Sequence, residues 1–208
     1  FGPIFEALGM TGGSDIAAIK ANMDARCGTT PEAEAQRAAL NSAIAFKKYE
    51  FDAHGVEMNQ RYASAATVTD GQIEPDFALD ADLHYQPTTW PGARIPHAWL
   101  FDQKGDKHST LDLAGGGAFT LFTGLGGRAW AEAAEQVSKA LGVKLEAHVI
   151  GPRQDYVDHT GDWARAREVG DAGCILTRPD QHVCWRNDAM ADDPVAELTR
   201  VLTAILAR

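Results

Sequence analysis

Apolar and polar positions along this chain fall into three regimes. In the first 50 residues the pattern is helical but thin. Ile16, Ile19 and Met23 recur at helical spacing behind Ser14-Asp15, a capping pair, and Thr30-Pro31-Glu32 opens a second helix that runs to about Lys48, with proline at its favoured first position. That second stretch is rich in alanine, and its apolar stripe passes only through Leu40 and Ile44. Helices in proteins owe their stability mainly to an apolar face packed on something else, so this one is expected to lean on a surface outside the chain. From Tyr49 to Gly92 the periodicity fades, Gly71, Pro75, Pro87, Pro91 and Gly92 punctuate the run, and short strands with turns are expected.

Order returns with a strand over His97–Phe101, a turn at Lys104-Gly105-Asp106, and an alternating hairpin partner over Ser109–Leu113 that ends at Ala114-Gly115-Gly116-Gly117. Phe119–Thr123 reads as a buried strand feeding a helix from Gly127 to Leu141, in which Trp130, Ala134, Val137 and Leu141 share a face and Gly142 is the stop. Leu145–Ile150 is the next strand, giving a right-handed parallel βαβ unit after which no third parallel strand is expected. A polar stretch with Trp163 and a short helical piece follows. Cys174–Thr177 and His182–Arg186 then form two strands around Pro179-Asp180, and Asp193-Pro194 starts a last helix striped by Val195, Leu198, Val201, Leu202, Ile205 and Leu206. The order βαβ, hairpin, helix predicts an α/β fold of the thioredoxin-like kind, βαβ-ββα, preceded by a helical segment.

Composition narrows the function. The chain has 208 residues, enough for one sizeable core, and 45% are hydrophobic. Its net charge of -10 repels phosphate backbones and anionic lipid, which disfavours nucleic-acid and membrane partners. Cys27, Cys174 and Cys184 form no C-x-x-C and fit a reduced, cytoplasmic protein. Phe1 stands where an initiator Met is usual, so the chain is expected to be a piece of something longer.

Three constellations invite chemistry. Gly124, Gly126 and Ala129 fit G-x-G-x-x-[GA] between a strand and a helix, the form of a dinucleotide pyrophosphate cradle. The end of the next strand, His148-Val149-Ile150-Gly151, lacks the ribose-binding acid, so a tight strand-to-helix turn is the preferred reading. The same turn would carry the C-x-x-C of a redox thioredoxin; glycines and Arg128 stand there instead, which excludes disulfide exchange through it. Cys174, His182 and Cys184 on the hairpin, and Asp155, Asp158, His159 and Asp162 in the polar stretch, have metal-ligand chemistry, but strand cysteines and surface acids are preferred and no metal is expected. Arg178, Asp180 and Arg186 flank the hairpin turn, where local pairing is preferred to anion binding. No G-x-S-x-G, H-E-x-x-H or P-loop occurs, and no catalytic residue is expected in the chain.

Thr177-Arg178-Pro179-Asp180-Gln181-His182-Val183-Cys184-Trp185-Arg186 resembles the RPD-x-x-V-x-WR signature of the FAD-dependent aromatic hydroxylases, which ends their C-terminal thioredoxin-like domain. The resemblance extends through Arg94 and His97 in the 91–100 stretch, through 109–113, 119–121 and 158–163 with Trp163, and back to Tyr49–Tyr62, which is similar to bacterial phenol and 2,4-dichlorophenol hydroxylases. It implies structural roles for Arg94, His97, Trp163, Arg178, Pro179, Asp180, Trp185 and Arg186. It also implies a parent that uses FAD, NADPH and O₂ to hydroxylate a phenol ortho to its hydroxyl, with the cofactor-binding motifs in polypeptide before Phe1 and no cofactor expected in this chain. Residues 1–50 are then the helical tail of the preceding flavin domain and 51–208 the thioredoxin-like domain, with 51–90 an extended lead-in. The task left to the chain is packing against the flavin-binding part and supporting a homo-oligomer. Two alternatives stay open: a free-standing thioredoxin-like or dinucleotide-binding module using Gly124–Ala129, and a structural subunit serving a separate flavoprotein.

Overall fold

The computed structural model describes residues 1–10, 13 and 15–207. Five helical pieces open it: α1 (Gly2–Ala7), α2 (Ile16–Ala25), α3 (Pro31–Phe46), α4 (Lys48–Phe51) and α5 (His54–Met58). Caps account for two of them, since Asp15 Oδ1 accepts from Ala17 N at 3.2 Å and Thr30 Oγ1 from Ala33 N at 3.2 Å. Ser14, the other half of the expected first cap, lies outside the described residues. Packing is sparse here, as the thin stripe predicts: α3 buries only Ala33 and Ala43, and α2 buries nothing.

The short strands expected over 49–92 do not form; beyond α4 and α5 the segment is irregular apart from one bridge, Arg61↔Ala93. Its backbone groups find side chains instead of a ladder. Asn59 Nδ2 donates to Ala81 O and His84 O while its Oδ1 accepts from Gln86 N, and Asp80 Oδ1 accepts from Asp82 N and Leu83 N.

The remainder is built on one seven-stranded sheet of order β2-β1-β5-β4-β3-β6-β7, comprising β1 (Trp99–Asp102), β2 (Lys107–Ser109), β3 (Phe119–Gly124), β4 (Leu145–Ile150), β5 (Tyr156–Val157), β6 (Cys174–Thr177) and β7 (Val183–Asn187). β3 and β4 are parallel from Phe119↔Leu145 to Gly124↔Ile150, β6 is antiparallel to β3, and β7 to β6. This is the expected thioredoxin-like core. Two expectations are corrected around it. Ser109–Leu113 is not a strand: the hairpin partner ends at Ser109, which caps the helical turn α6 (Thr110–Leu113) through Leu111 N, while Asp112 accepts from Ser109 N. This is a capping box, which competes with the apolar alternation and wins. β5, hidden in polar sequence, is a third parallel strand, paired to β4 at Ile150↔Tyr156 and joining it to β1.

Strand alternation, together with the register shift of β7 between Leu176↔Trp185 and Thr177↔Val183, splits the core in two. Leu121, Leu176 and Trp185 face α7 (Arg128–Leu141) and α9 (Pro194–Ile205), where Trp130, Val137, Leu198, Val201 and Leu202 complete one cluster and the Trp130 and Trp185 rings meet edge to face at 5.6 Å. Phe122, Ile175, Ile150 and Val183 face the other way, onto Ile95, Leu100 and Trp163 of α8 (Asp162–Ala166). Gly142 stops α7 in the left-handed conformation at φ 64°, as expected.

Truncating the sealed face and the thin region therefore has unequal effects. Leu202→Ala lowers unfolding stability by about 2–5 kcal/mol, while Ile16→Ala, at a side chain 82% exposed, changes it by less than about 0.5 kcal/mol; urea titration followed by tryptophan fluorescence measures both.

Candidate functional site

The glycine turn is the first place to look for a ligand. Gly124 ends β3, Leu125–Gly127 form one 3-10 turn, and Arg128 begins α7, so backbone N–H groups point out of the helix N-terminus as a pyrophosphate would require. An anion is already there. Asp171 Oδ2 accepts from Gly126 N at 2.8 Å, and Arg167 Nη1 stands 3.2 Å from Asp171 Oδ1. These partners hold the Asp171 carboxyl below its usual range in spite of the desolvation that opposes them. The glycines serve this docking: a Cβ on Gly124 would lie 2.5 Å from Asp171 O and 2.7 Å from Arg167 Nη1, and one on Gly126 would lie 3.2 Å from Ala172 Cβ. The turn is thus closed by the loop before β6, and its residues do not fit a flavin or nicotinamide dinucleotide. Ala129, the third position of the pattern, is exposed on α7.

A second centre forms around Arg186. Its side chain emerges from β7 almost fully buried, and its Nε meets Asp70 Oδ2 at 2.7 Å, also buried. Nη1 donates to Glu168 Oε2 at 2.8 Å and to Thr89 Oγ1 at 3.1 Å, Nη2 donates to Gln72 Oε1 at 3.3 Å, and the guanidinium lies 5.3 Å from the Trp90 ring. Glu168, in the left-handed region at φ 54°, also accepts from Thr88 Oγ1 and Thr89 N. Arg186 therefore takes no part in the pairing expected around the hairpin turn. It clamps 70–72, 88–90 and 168 across β7, whose edge is further covered by Val68 N donating to Cys184 O and Gly92 N to Val183 O.

Arg178 and Asp180 do pair locally, through Nε to Oδ1 at 3.2 Å and a closer Nη2–Oδ2 contact, on either side of Pro179. Gln181 then turns left-handed at φ 69°, and its amide donates to Leu111 O at 2.8 Å while accepting from Arg94 Nη2 at 2.8 Å. His182 meets Tyr62 edge to face at 5.2 Å. Three separate stretches, 57–60, Arg94 and 180–182, thereby line one groove of about 250 Å³. His97 is exposed, with Nδ1 2.7 Å from Ser109 Oγ, and Trp163 is buried 5.5 Å from the Phe122 ring.

The metal-like clusters come apart. Cys174 and Cys184 belong to the α7–α9 core, Cys184 Sγ donates to Leu176 O, and burial raises both thiols well above their usual range, so neither is a thiolate ligand or nucleophile near neutrality. His182 sits outside that core. Asp158 accepts from Asp162 N and Ala164 N at the start of α8, Asp155 accepts from Val149 N, Asp162 pairs with Arg165, and the His159 ring lies tilted against Phe101 at 5.1 Å. Among the described residues no group of three His, Cys, Asp or Glu converges on one point.

Sequence reasoning missed Asp171, Asp70 and Glu168, which carry the polar organisation. One signal for the last two was present: Arg186 at a core position of an apolar strand needs an acid from somewhere, though spacing does not say where. It also missed Tyr156, whose ring is flanked edge-on by His108 at 5.5 Å and His148 at 5.3 Å.

Comparison with known proteins adds the following. Residues 88–208 match the profile of the family described as aromatic-ring hydroxylase, C-terminal. The chain is 47% identical over 201 residues to phenol 2-monooxygenase of Pseudomonas sp. (strain EST1001), covering 97% of this chain and 33% of that protein. It is also 47% identical over 210 residues to 2,4-dichlorophenol 6-monooxygenase of Cupriavidus pinatubonensis, covering 100% and 35%. Among solved structures, the flavin-dependent monooxygenase PieE in complex with FAD and substrate superimposes with TM-score 0.88 at 41% identity, over 99% of this chain and 35% of that one. The chain thus spans about a third of the length of the relatives it matches.

Two measurements test the site. Arg186→Met leaves Asp70 buried without its cation and costs about 3–5 kcal/mol, with protease cleavage appearing in 64–88; a Lys at 186 recovers only part, because one ammonium cannot span the fork. Burial holds the His148 imidazole below its ordinary 6.5, against the opposing pull of Asp155 and Glu146. The unfolded chain then binds that proton more readily, so His148's contribution to stability is complete above pH 6.5 and drains as the pH falls below it; His148→Phe flattens that slope in thermal melts across the range.

Proposed function

Because this chain belongs to the aromatic-ring hydroxylases, with their C-terminal domain over residues 88–208, we propose that it is the C-terminal third of an FAD-dependent phenol hydroxylase. The parent would use NADPH and O₂ to convert phenol or a chlorophenol to the catechol by ortho-hydroxylation. The observation that carries this reading is the 47% identity to a phenol and to a dichlorophenol monooxygenase along essentially the whole chain.

Within the parent this piece is a scaffold. It supplies no catalytic, cofactor-binding or metal-binding residue, and its own tasks are packing against the flavin-binding part and supporting contacts in a homo-oligomer. Residues 1–50 are the helical tail of the preceding domain and 51–208 the thioredoxin-like domain with its lead-in over 51–90. In support, the earliest hydrophobic residue in either core cluster is Val68, so the first helices share neither core. Arg94, His97, Trp163, Arg178, Pro179, Asp180, Trp185 and Arg186 act structurally, holding the groove, the hairpin turn and the lead-in together. A cytoplasmic setting suits the three cysteines, all unpaired. No helix among the described residues is long and apolar enough to cross a membrane. Asp171 in the glycine turn argues against a free-standing dinucleotide module.

The test is spectroscopic. The purified 208-residue chain carries no flavin absorption and does not oxidise NADPH in the presence of phenols, whereas the full-length protein containing it carries one FAD and does. Flavin retained by the isolated chain overturns the reading.

A further inference from the structure

Arg94 is a cation without an anion. Among the described residues from 61 to 200, every other arginine has a carboxylate oxygen within 3.7 Å except Arg153, which is exposed. Arg94 is half-buried, and its side chain makes one hydrogen bond, from Nη2 to Gln181 Oε1 at 2.8 Å. Gln181 is itself pinned, its amide donating to Leu111 O at 2.8 Å and Ala114 O at 3.4 Å, and the backbone of Arg94 bridges His182. The guanidinium is thus held in place with its other donors uncommitted, and a partly buried charge in that condition calls for a counter-ion. The space around it has two parts. Outward lies the groove of about 250 Å³. Inward, Arg94 lines a chamber of about 10 Å³ together with Arg61 and Tyr85, room for about one oxygen-sized group. Arg61 is 10% exposed, and its Nε is buried with no hydrogen-bond partner while Nη1 is spent on Glu74 and Pro75 O. Arg94 also opposes the rise that burial imposes on the Tyr85 phenol, so its positive field reaches the chamber. On the groove side Tyr62 OH donates to Gln60 Oε1, which leaves the amide N–H groups of Gln60 as donors.

We propose that this cavity is a ligand site for a small monocarboxylate, with Arg94 as its anion receptor, Gln60 as a further donor and one carboxylate oxygen entering the chamber between Arg61 and Arg94. The neighbouring charges select the anion. Asp180 is answered by Arg178 and His182, and Arg61 by Glu74. Glu57 stands exposed on the groove wall, where water screens it. One negative charge therefore meets Arg94, and a phosphate dianion would bring a second for which no cation is left. A planar guanidinium also matches the two oxygens of a carboxylate. The groove outside, walled in part by Met58, leaves space for the organic part of the acid. The site stands on this chain's own residues, whatever the parent hydroxylates.

The experiment titrates the 208-residue chain and the full-length protein containing it with sodium acetate, inorganic phosphate and sodium chloride at matched ionic strength. Thermal melts follow binding in both, and arginine Nε–H resonances follow it in the chain. Acetate raises Tm saturably at about millimolar concentration, as suits so small a ligand, and shifts the Arg94 Nε–H signal, whereas chloride does neither. Arg94→Met weakens acetate binding about tenfold or more, and Arg94→Lys weakens it less, because the fork is lost while the charge stays. Glu57→Gln, at an exposed side chain, tightens it about two- to fivefold. Acetate binding no stronger than chloride overturns the proposal, as does phosphate binding as tightly as acetate. Unchanged affinity in a folded Arg94→Met protein overturns it as well; should that variant not fold, unchanged affinity in Glu57→Gln does so. Acetate binding by the chain but not by the full-length protein also overturns it, since the rest of the parent would then cover the groove.

Discussion

Arg186 is the constraint on which the arrangement of this chain turns. A guanidinium cannot lose its charge, so burying one in a strand obliges the fold to bring acids and carbonyls to it. Here the obligation falls on residues far away in sequence: Asp70, Gln72 and Thr89 from the lead-in, and Glu168 from the loop before β6. The lead-in makes no strand of its own, and what holds it along β7 is this fork together with a few backbone bonds from Val68 and Gly92. Such an ion pair adds little stability beyond what a packed apolar pair would, but it does specify which segment lies where.

A related economy governs the glycine turn. Oriented N–H groups at a helix N-terminus attract an anion whether it comes from a ligand or from the chain. In this molecule Asp171 provides it, Arg167 balances it, and the glycines let the loop 167–173 approach the turn closely. The sequence features of a cofactor cradle and of a loop anchor are the same up to that point, because both need small residues and free donors.

The two halves of the chain differ in how they meet the cost of order. The sheet and its helices bury two clusters that close on themselves, with Trp130, Trp163, Trp185 and Phe122 among the fully enclosed side chains. Among the described residues of the first 51, only Ala33 and Ala43 are buried, and phenylalanines are left in water. The sheet region therefore supplies its own core, and the helical pieces of the first 51 residues share in neither cluster.

Local pattern was enough to specify the strand-helix-strand unit, the hairpin, the last helix and the stop at Gly142, because each rests on neighbours in sequence: apolar spacing, a cap, a left-handed glycine. The RPD-x-x-V-x-WR stretch was equally legible as a resemblance. What the sequence left open is long-range. Ser109 suited both a strand and a cap until Asp112 was seen to reach back to its amide; β5 became a strand only because β1 and β4 offered it edges. That Asp171 fills the glycine turn, and that Arg186 answers to Asp70, were decided by folding, since hydrogen-bond partners separated by 45 and 116 residues leave no periodic trace in the chain that carries them.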